Sequence, residues 1–334
     1  MRYGFYLGQG PTSDLKLLEL GVLAERRGFD SLSLGDHFHP FGHRGAKGCG
    51  FGWVMIPALA ERTVRVDIGT AVTAPILRYN PAIIAQAFAT LAVMYPNRIF
   101  LGLGAGEAMN EVPVGYDWPG PKERVERLEE AIEVIRLLWT REFVDYKGKY
   151  FRLRRANLYT KPEKPPPILL AAHGPRTALM AGKLADGFIT ASASKPDYVE
   201  SVLIPNVERG LKLANREKEG FRRLLLDTEI YGEDFEEAVR TSRFWAAASA
   251  SRIPYERELY DPVEIDAIGE QVSDEEFVKS VVYLGSSDDI IKDAEKWIKL
   301  GFTEIHFFCL SKFQEEFIDL CGREVLPYLR ETYP

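Results

Sequence analysis

Eight short apolar runs, at 3–7, 31–34, 64–70, 98–102, 168–172, 187–190, 224–231 and 304–308, are spaced along the chain by longer segments. In those segments, at 14–27, 81–94, 122–139, 177–184, 198–215, 235–248 and 288–300, apolar residues recur every three to four positions, the period of a half-buried helix. Strands separated by helices pair in parallel through right-handed crossovers, and eight such units close into a (β/α)8 TIM barrel. A doubly wound open sheet is the second architecture compatible with the alternation. At 334 residues, one barrel with insertions accounts for 1–334 as a single α/β domain.

Three segments exceed the bare repeat: a Gly- and His-rich stretch at 38–52, a hairpin-like D-Y-K-G-K-Y-F with a proline-rich tail at 144–167, and an irregular charged stretch at 249–276. Insertions of this kind in a parallel barrel build the mouth where the strands end. The net charge of -7 lacks the basic footprint expected of a nucleic-acid or anionic-membrane surface, so the expected partners are small molecules. Cys49, Cys309 and Cys321 have no metal-ligand spacing and cannot all pair, which fits a reducing compartment; with no basic leader and no long apolar run, the chain reads as cytoplasmic.

Chemistry collects where strands end. The second run leads into Asp36-His37-Phe38-His39-Pro40, and the fourth into Gly104-Ala105-Gly106-Glu107-Ala108-Met109-Asn110. An imidazole such as that of His37 is a side-chain type suited to taking a hydroxyl proton, with Asp36 orienting a ligand or a neighbour; as plain structure they are a capping acid and a loop histidine. Glycines before Glu107 and Asn110 let backbone approach a flat or phosphorylated ligand, although acids also favour the first turn of any helix. Ala71-Val72-Thr73-Ala74-Pro75, after the third run, is small and mostly apolar, able to flank a planar ring. His173-Gly174-Pro175, after the fifth, opens a helix whose free N–H groups can hold a phosphate; read as structure alone, it is an ordinary turn. His39 and His43 lack the further Cys or His partners of a structural zinc, so no metal is expected, and His306 reads as a core histidine.

Together, D-H-F-H-P (36–40), R-Y-N-P-A-I-I-A-Q-A-F-A-T (78–90), Y-P-N-R (95–98), G-A-G-E-A-M-N-E-V-P-V (104–114) and R-F-W-A (243–246) run in the order seen in the luciferase-like superfamily. The chain resembles in particular its coenzyme F420-dependent dehydrogenase branch. That resemblance implies a (β/α)8 barrel with insertions, a homodimer, and a deazaflavin at the C-terminal face. It places Asp36, Ala71, Val72, Gly106, Glu107, Asn110, His173 and Gly174 around the cofactor and implies a non-prolyl cis peptide at Ala71-Val72. It makes His37 the group that takes the hydroxyl proton as hydride leaves the carbinol carbon, and Glu107 the group that manages charge or a proton at the ring.

Two substrate classes occur in the branch, secondary alcohols and sugar 6-phosphates. The sugar-phosphate members use three cations to hold phosphate; Ser194, Glu256 and Ser280 stand at those positions here, with Lys195, Arg257 and Lys279 one residue away. The shared L-Y-T-K-P (158–162) and the displaced cations favour a secondary alcohol, with a sugar-6-phosphate dehydrogenase as the alternative. Phe41 replaces a tryptophan found in both classes, and His43 can supply the donor that the indole would have given. Readings from other classes are an FMN-dependent monooxygenase and a non-catalytic deazaflavin-binding protein.

Overall fold

A computed structural model describes the backbone of residues 1–250 and 253–334, and the side chains of these apart from 244–250, 254 and 255. The R-F-W-A motif beyond Arg243, and part of the 249–276 insertion, therefore lie outside the described residues.

Eleven strands form: β1 Arg2–Leu7, β2 Ser31–Leu34, β3 Asp67–Thr70, β4 Ile99–Leu103, β5 Val144–Lys147, β6 Arg152–Ala156, β7 Ile168–Ala171, β8 Gly187–Ala191, β9 Arg222–Tyr231, β10 Val282–Leu284 and β11 Glu304–Cys309. The sheet runs β10-β9-β11-β1-β2-β3-β4-β7-β8, and pairing of β8 with β9 closes eight of these strands into a parallel ring, the (β/α)8 barrel. Each of the eight expected runs supplies one barrel strand. β10 pairs with the far end of β9, and β5–β6 is the expected antiparallel hairpin.

Strand alternation sorts side chains to two sides of the wall. Tyr3, Phe5 and Leu7 of β1 face outward into the main core between wall and helices, while Gly4 and Tyr6 face the barrel axis. Phe100, Leu169, Ile189 and Leu224 fill the axis with Ala71, Val72 and Leu226 packed against them. Deeper in, the axis is polar. His306 is fully buried between Ser31 Oγ and Ser33 Oγ, each 2.7 Å from a ring nitrogen, and Glu304 Oε1 lies 2.9 Å away. Arg222 closes the cluster, donating to Glu304 Oε2 from Nε at 2.9 Å and Nη2 at 2.6 Å. His306 is a satisfied core histidine, as its position inside a strand suggests. Gly4 makes room for it, since a Cβ there would lie 2.3 Å from the imidazole.

Helices cover the wall where the periodicity places them. Pro81–Met94, for example, starts at Asn80, whose Oδ1 accepts from Ala82 N at 2.9 Å, and buries Ile84, Ala85, Phe88, Ala89 and Ala92. Such a cap is worth about 1 kcal/mol. The insertions differ from expectation in one respect: the described residues of the charged stretch 249–276 contain helices Ile253–Glu256 and Pro262–Gln271, and helix Asp274–Ser280 begins at its end. Among the described residues, no helix is long and apolar enough to cross a membrane.

Candidate active site

Polar residues converge at the C-terminal ends of β1, β2, β3, β4 and β7. Just past β2, Asp36 is buried, and both carboxylate oxygens are engaged: Thr73 Oγ1 donates to Oδ2 at 2.9 Å and Tyr79 OH to Oδ1 at 3.0 Å. Trp53 Nε1 donates in turn to Thr73 Oγ1 at 3.1 Å. Behind Asp36 lies Arg78. Its Nη2 bonds the Asp36 carbonyl and stands 3.6 Å from Asp36 Oδ2, while its Nη1 donates to Glu111 Oε1 at 3.0 Å and to the Asn110 carbonyl at 3.2 Å. The Arg78 backbone N–H adds a 2.9 Å bond to Glu111 Oε2. Burial pushes both the Asp36 and Glu111 carboxyls above the ordinary range, with the Arg78 guanidinium opposing it. One buried cation thus locks three strand-end loops together.

That lock positions the residues facing the mouth. Asn110, 5% exposed, accepts from Phe38 N at 2.8 Å and donates to Glu107 Oε2 at 3.3 Å, joining the loop after β4 to the one after β2. Glu107 Oε2 then lies 3.7 Å from His37 Nε2, with side chains 40% and 28% exposed respectively. Gly106 allows this turn with φ of +75°, a conformation that side chains disfavour. The floor is Tyr6, whose phenol is held above its ordinary pKa by burial and then by the Glu107 charge. Beside it, the peptide Ala71-Val72 is cis, as the resemblance implies. A Cβ on Gly104 would lie 2.6 Å from Val72 Cγ2, so backbone of β4's end closes directly on this platform.

Opposite, β7 delivers His173 and Gly174. The His173 side chain is exposed to the mouth; desolvation pushes its imidazole pKa down, with the Glu107 charge opposing. Gly174 starts helix Pro175–Leu184, and a Cβ there would meet nothing within 4 Å, so the N-terminus is open to a ligand.

The insertions wall the mouth. His43 N and Arg44 N donate to Asp266 Oδ2 at 3.0 and 2.7 Å, and His39 Nδ1 lies 3.2 Å from the Tyr260 carbonyl, so 38–52 docks on the helical insertion. Phe41 packs on Met109 and Ile265 beneath that contact, and the His43 side chain is exposed. Lys195 and Arg257 are exposed. Lys279 is turned to a helix surface, its Nζ 2.5 Å from Glu275 Oε1 with both side chains more than 70% exposed.

Arg78, Glu111, Tyr79, Trp53 and Tyr6 were not among the expected site residues, and Thr73 was expected only as part of a ring-flanking segment. Arg78 and Glu111 stood inside quoted motifs, and the signal available was an arginine and an acid beside otherwise apolar helix starts. At the other end of the barrel, a cavity of about 490 Å³ is lined by Arg2, Asp30, Asp67 and Arg330, which neutralise one another at 2.6 Å (Arg2–Asp67) and 2.9 Å (Arg330–Asp30).

Against known proteins, residues 8–304 match the luciferase-like monooxygenase family. The chain is 36% identical over 334 residues to an F420-dependent glucose-6-phosphate dehydrogenase of Microbacterium testaceum, covering 100% of this chain and 98% of that one. It is 38% identical over 332 residues to the enzyme of the same name from Rhodococcus erythropolis, at 99% and 98% coverage. Among solved structures, an F420-dependent secondary alcohol dehydrogenase in complex with an F420-acetone adduct superposes with a TM-score of 0.92 at 33% identity, covering 97% of this chain and 98% of that one.

Proposed function

The chain belongs to the luciferase-like monooxygenase family, and from that premise we propose that it is a coenzyme F420-dependent dehydrogenase that oxidises a substrate hydroxyl to a carbonyl. The observation that carries the reading is the His37–Glu107 pair, 3.7 Å apart at the mouth, beside the cis Ala71-Val72 platform. The residues present fit a deazaflavin. Ala71 and Val72 offer a small apolar surface for a ring, Gly104 lets backbone close on it, and Gly174 leaves the N-terminus of helix Pro175–Leu184 open for a phosphate. When bound, the deazaflavin supplies a ring carbon that accepts hydride.

His37 then takes the hydroxyl proton as hydride departs from the carbinol carbon. The Glu107 carboxylate faces the resulting imidazolium and stabilises it, and the Asn110 bonds fix both groups relative to each other. Asp36 acts from behind: with its oxygens committed to Thr73 and Tyr79, it holds the loop that carries His37.

The relatives' names favour the sugar 6-phosphate alternative over the secondary alcohol that the sequence motifs favour, so glucose 6-phosphate is the first substrate of this proposal. Lys195 and Arg257, both exposed, would supply the positive charge for its phosphate; Lys279 is committed to Glu275. A secondary alcohol is the second reading, favoured by the TM-score of 0.92 to the alcohol enzyme and by Ser194, Glu256 and Ser280 in place of three cations. A homodimer, implied by the resemblance, is checked by light scattering. Anaerobic bleaching of oxidised F420 by glucose 6-phosphate, but not by isopropanol, is the expected result. Bleaching by isopropanol alone selects the second reading, and bound F420 that no hydroxyl donor bleaches refutes the dehydrogenase. Purification with FMN and oxygen consumption would instead support the monooxygenase reading.

A further inference from the structure

β9 carries two acids at alternate positions, Asp227 and Glu229, whose side chains leave the barrel on its outer face. Their β11 partners in register are Phe307 and Cys309, both in the outer core. Helix Ser287–Lys299 packs above this wall and contributes Asp293. One oxygen from each of the three carboxylates lies within 4.8 Å of the others. Clustering by itself identifies nothing, since acidic groups often gather on surfaces.

The independent observation is how these groups are buried. Asp227 and Glu229 have 0% exposure, and among the described residues no donor sits in full hydrogen-bond geometry with either oxygen of either carboxylate; the polar groups that face them are Ser192 and the other acids of the cluster. Asp293, 9% exposed, leaves Oδ2 equally unpartnered, while its Oδ1 is bonded by Lys296 Nζ at 2.5 Å. A carboxylate removed from water without compensation costs several kcal/mol. A fold keeps two side by side only where a cation or bound protons neutralise them. Lys296 is the cation facing the group, and its ammonium lies at Asp293. With all three carboxylates ionised, one ammonium leaves two negative charges, which one divalent cation neutralises; without a cation, burial and the neighbouring acids push the Asp227 and Glu229 carboxyls up and protons take its place.

The spacing is compatible with a single ion. Oxygens on opposite sides of a calcium ion, at about 2.4 Å each, are about 4.8 Å apart, so three oxygens all within 4.8 Å of one another can share one coordination shell. All the donors are carboxylate oxygens, the preference of hard cations; Cys309 Sγ lies 3.3 Å from Ser311 Oγ. We propose that Asp227, Glu229 and Asp293 form a buried site for a hard divalent cation of calcium or manganese size, which clamps β9 to helix Ser287–Lys299. The site is separate from the mouth, because its ligands leave β9 on the side away from the barrel axis.

The test uses the whole chain, stripped with a chelator and then dialysed against Mn2+ or Ca2+. One tightly held Mn2+ per chain by elemental analysis and electron paramagnetic resonance is expected. At a hundredfold excess over Kd, the melting temperature should rise by about 4 °C, from about 2.7 kcal/mol of binding linkage and about 0.7 kcal/mol/K of unfolding entropy for a chain of this length. In the double variant Asp227→Asn, Glu229→Gln both responses should vanish. It should melt no lower than the stripped wild type, because it loses buried charge, so its lack of response cannot be ascribed to misfolding. Asp293→Asn, at the more accessible ligand, should weaken Mn2+ binding at least tenfold. Wild-type protein that holds neither ion and melts identically with and without them overturns the proposal and leaves protons as the neutralising charge. A response that survives in the double variant overturns it as well.

Discussion

Replacing Arg78 with Ala removes one side chain from between two buried carboxylates. The guanidinium is 8% exposed, 3.0 Å from Glu111 and 3.6 Å from Asp36. At an effective dielectric of about 20, each of these pairs is worth roughly 5 kcal/mol of gross attraction. Most of that offsets desolvation, and breaking a buried pair on one side has a net cost of about 3–5 kcal/mol. With about 2.1 cal/mol/K of unfolding entropy per residue, the melting temperature should fall by about 4–7 °C at pH 8. The pH dependence is more specific. Burial already raises the Asp36 and Glu111 pKa values with the cation present, and its loss raises them further. A carboxyl whose folded pKa lies above its unfolded value contributes stability that is complete below the unfolded pKa and lost as pH rises through the folded one. The deficit of Arg78→Ala relative to wild type should therefore be smaller at pH 5 than at pH 8. Thermal unfolding at both pH values measures it; a deficit below about 1 °C at pH 8, or one of equal size at both, would refute the buried lock.

His37→Ala should lower kcat by about 10²- to 10⁴-fold while leaving F420 affinity within a few-fold, measured by anaerobic kinetics and fluorescence titration; an unchanged kcat removes His37 as the base. Lys195→Ala or Arg257→Ala should raise KM for glucose 6-phosphate by about 10- to 100-fold, and unchanged KM values in both variants would take the phosphate away from these cations. Burial alone would raise the Glu304 pKa, but Arg222, then His306 and Arg2, hold it well below the usual range. Its contribution is therefore present above the ordinary carboxylate pKa and lost as pH falls. Glu304→Gln, which leaves Arg222 uncompensated, should cost about 3–5 kcal/mol near neutrality, with a deficit that shrinks under acid in calorimetry.

Periodicity carried the barrel because its strands are buried on both sides and its helices on one, and both patterns are visible in local sequence. Helix Gly52–Ala60 was missed because Gly52 and Pro57 read as loop residues and its mean composition is apolar all round. The helices at 253–256 and 262–271 were hidden by charge: Asp261 caps the second through Val263 N, but its only interior anchors are Ile265 and Gly269. Of the site, His37, Glu107 and Asn110 were legible as polar residues at strand ends, and Gly174 as a glycine before a Pro-started helix. The lock was not, because Asp36, Arg78 and Glu111 come from three separate loops and meet only when the barrel closes. Asp227 and Glu229 give no sign of their burial in the local sequence. Acids at alternate strand positions ordinarily mark a solvent face, and only the helix Ser287–Lys299 packed over them makes them buried.

The central claim is direct hydride transfer from a carbinol carbon to bound F420. It is tested by anaerobic turnover with glucose 6-phosphate deuterated at C1, or with isopropanol deuterated at C2 if that is the alcohol that bleaches the cofactor, followed by the mass of the reduced cofactor. One deuterium gained from the substrate is predicted; reduced cofactor that carries only solvent hydrogen would contradict the mechanism.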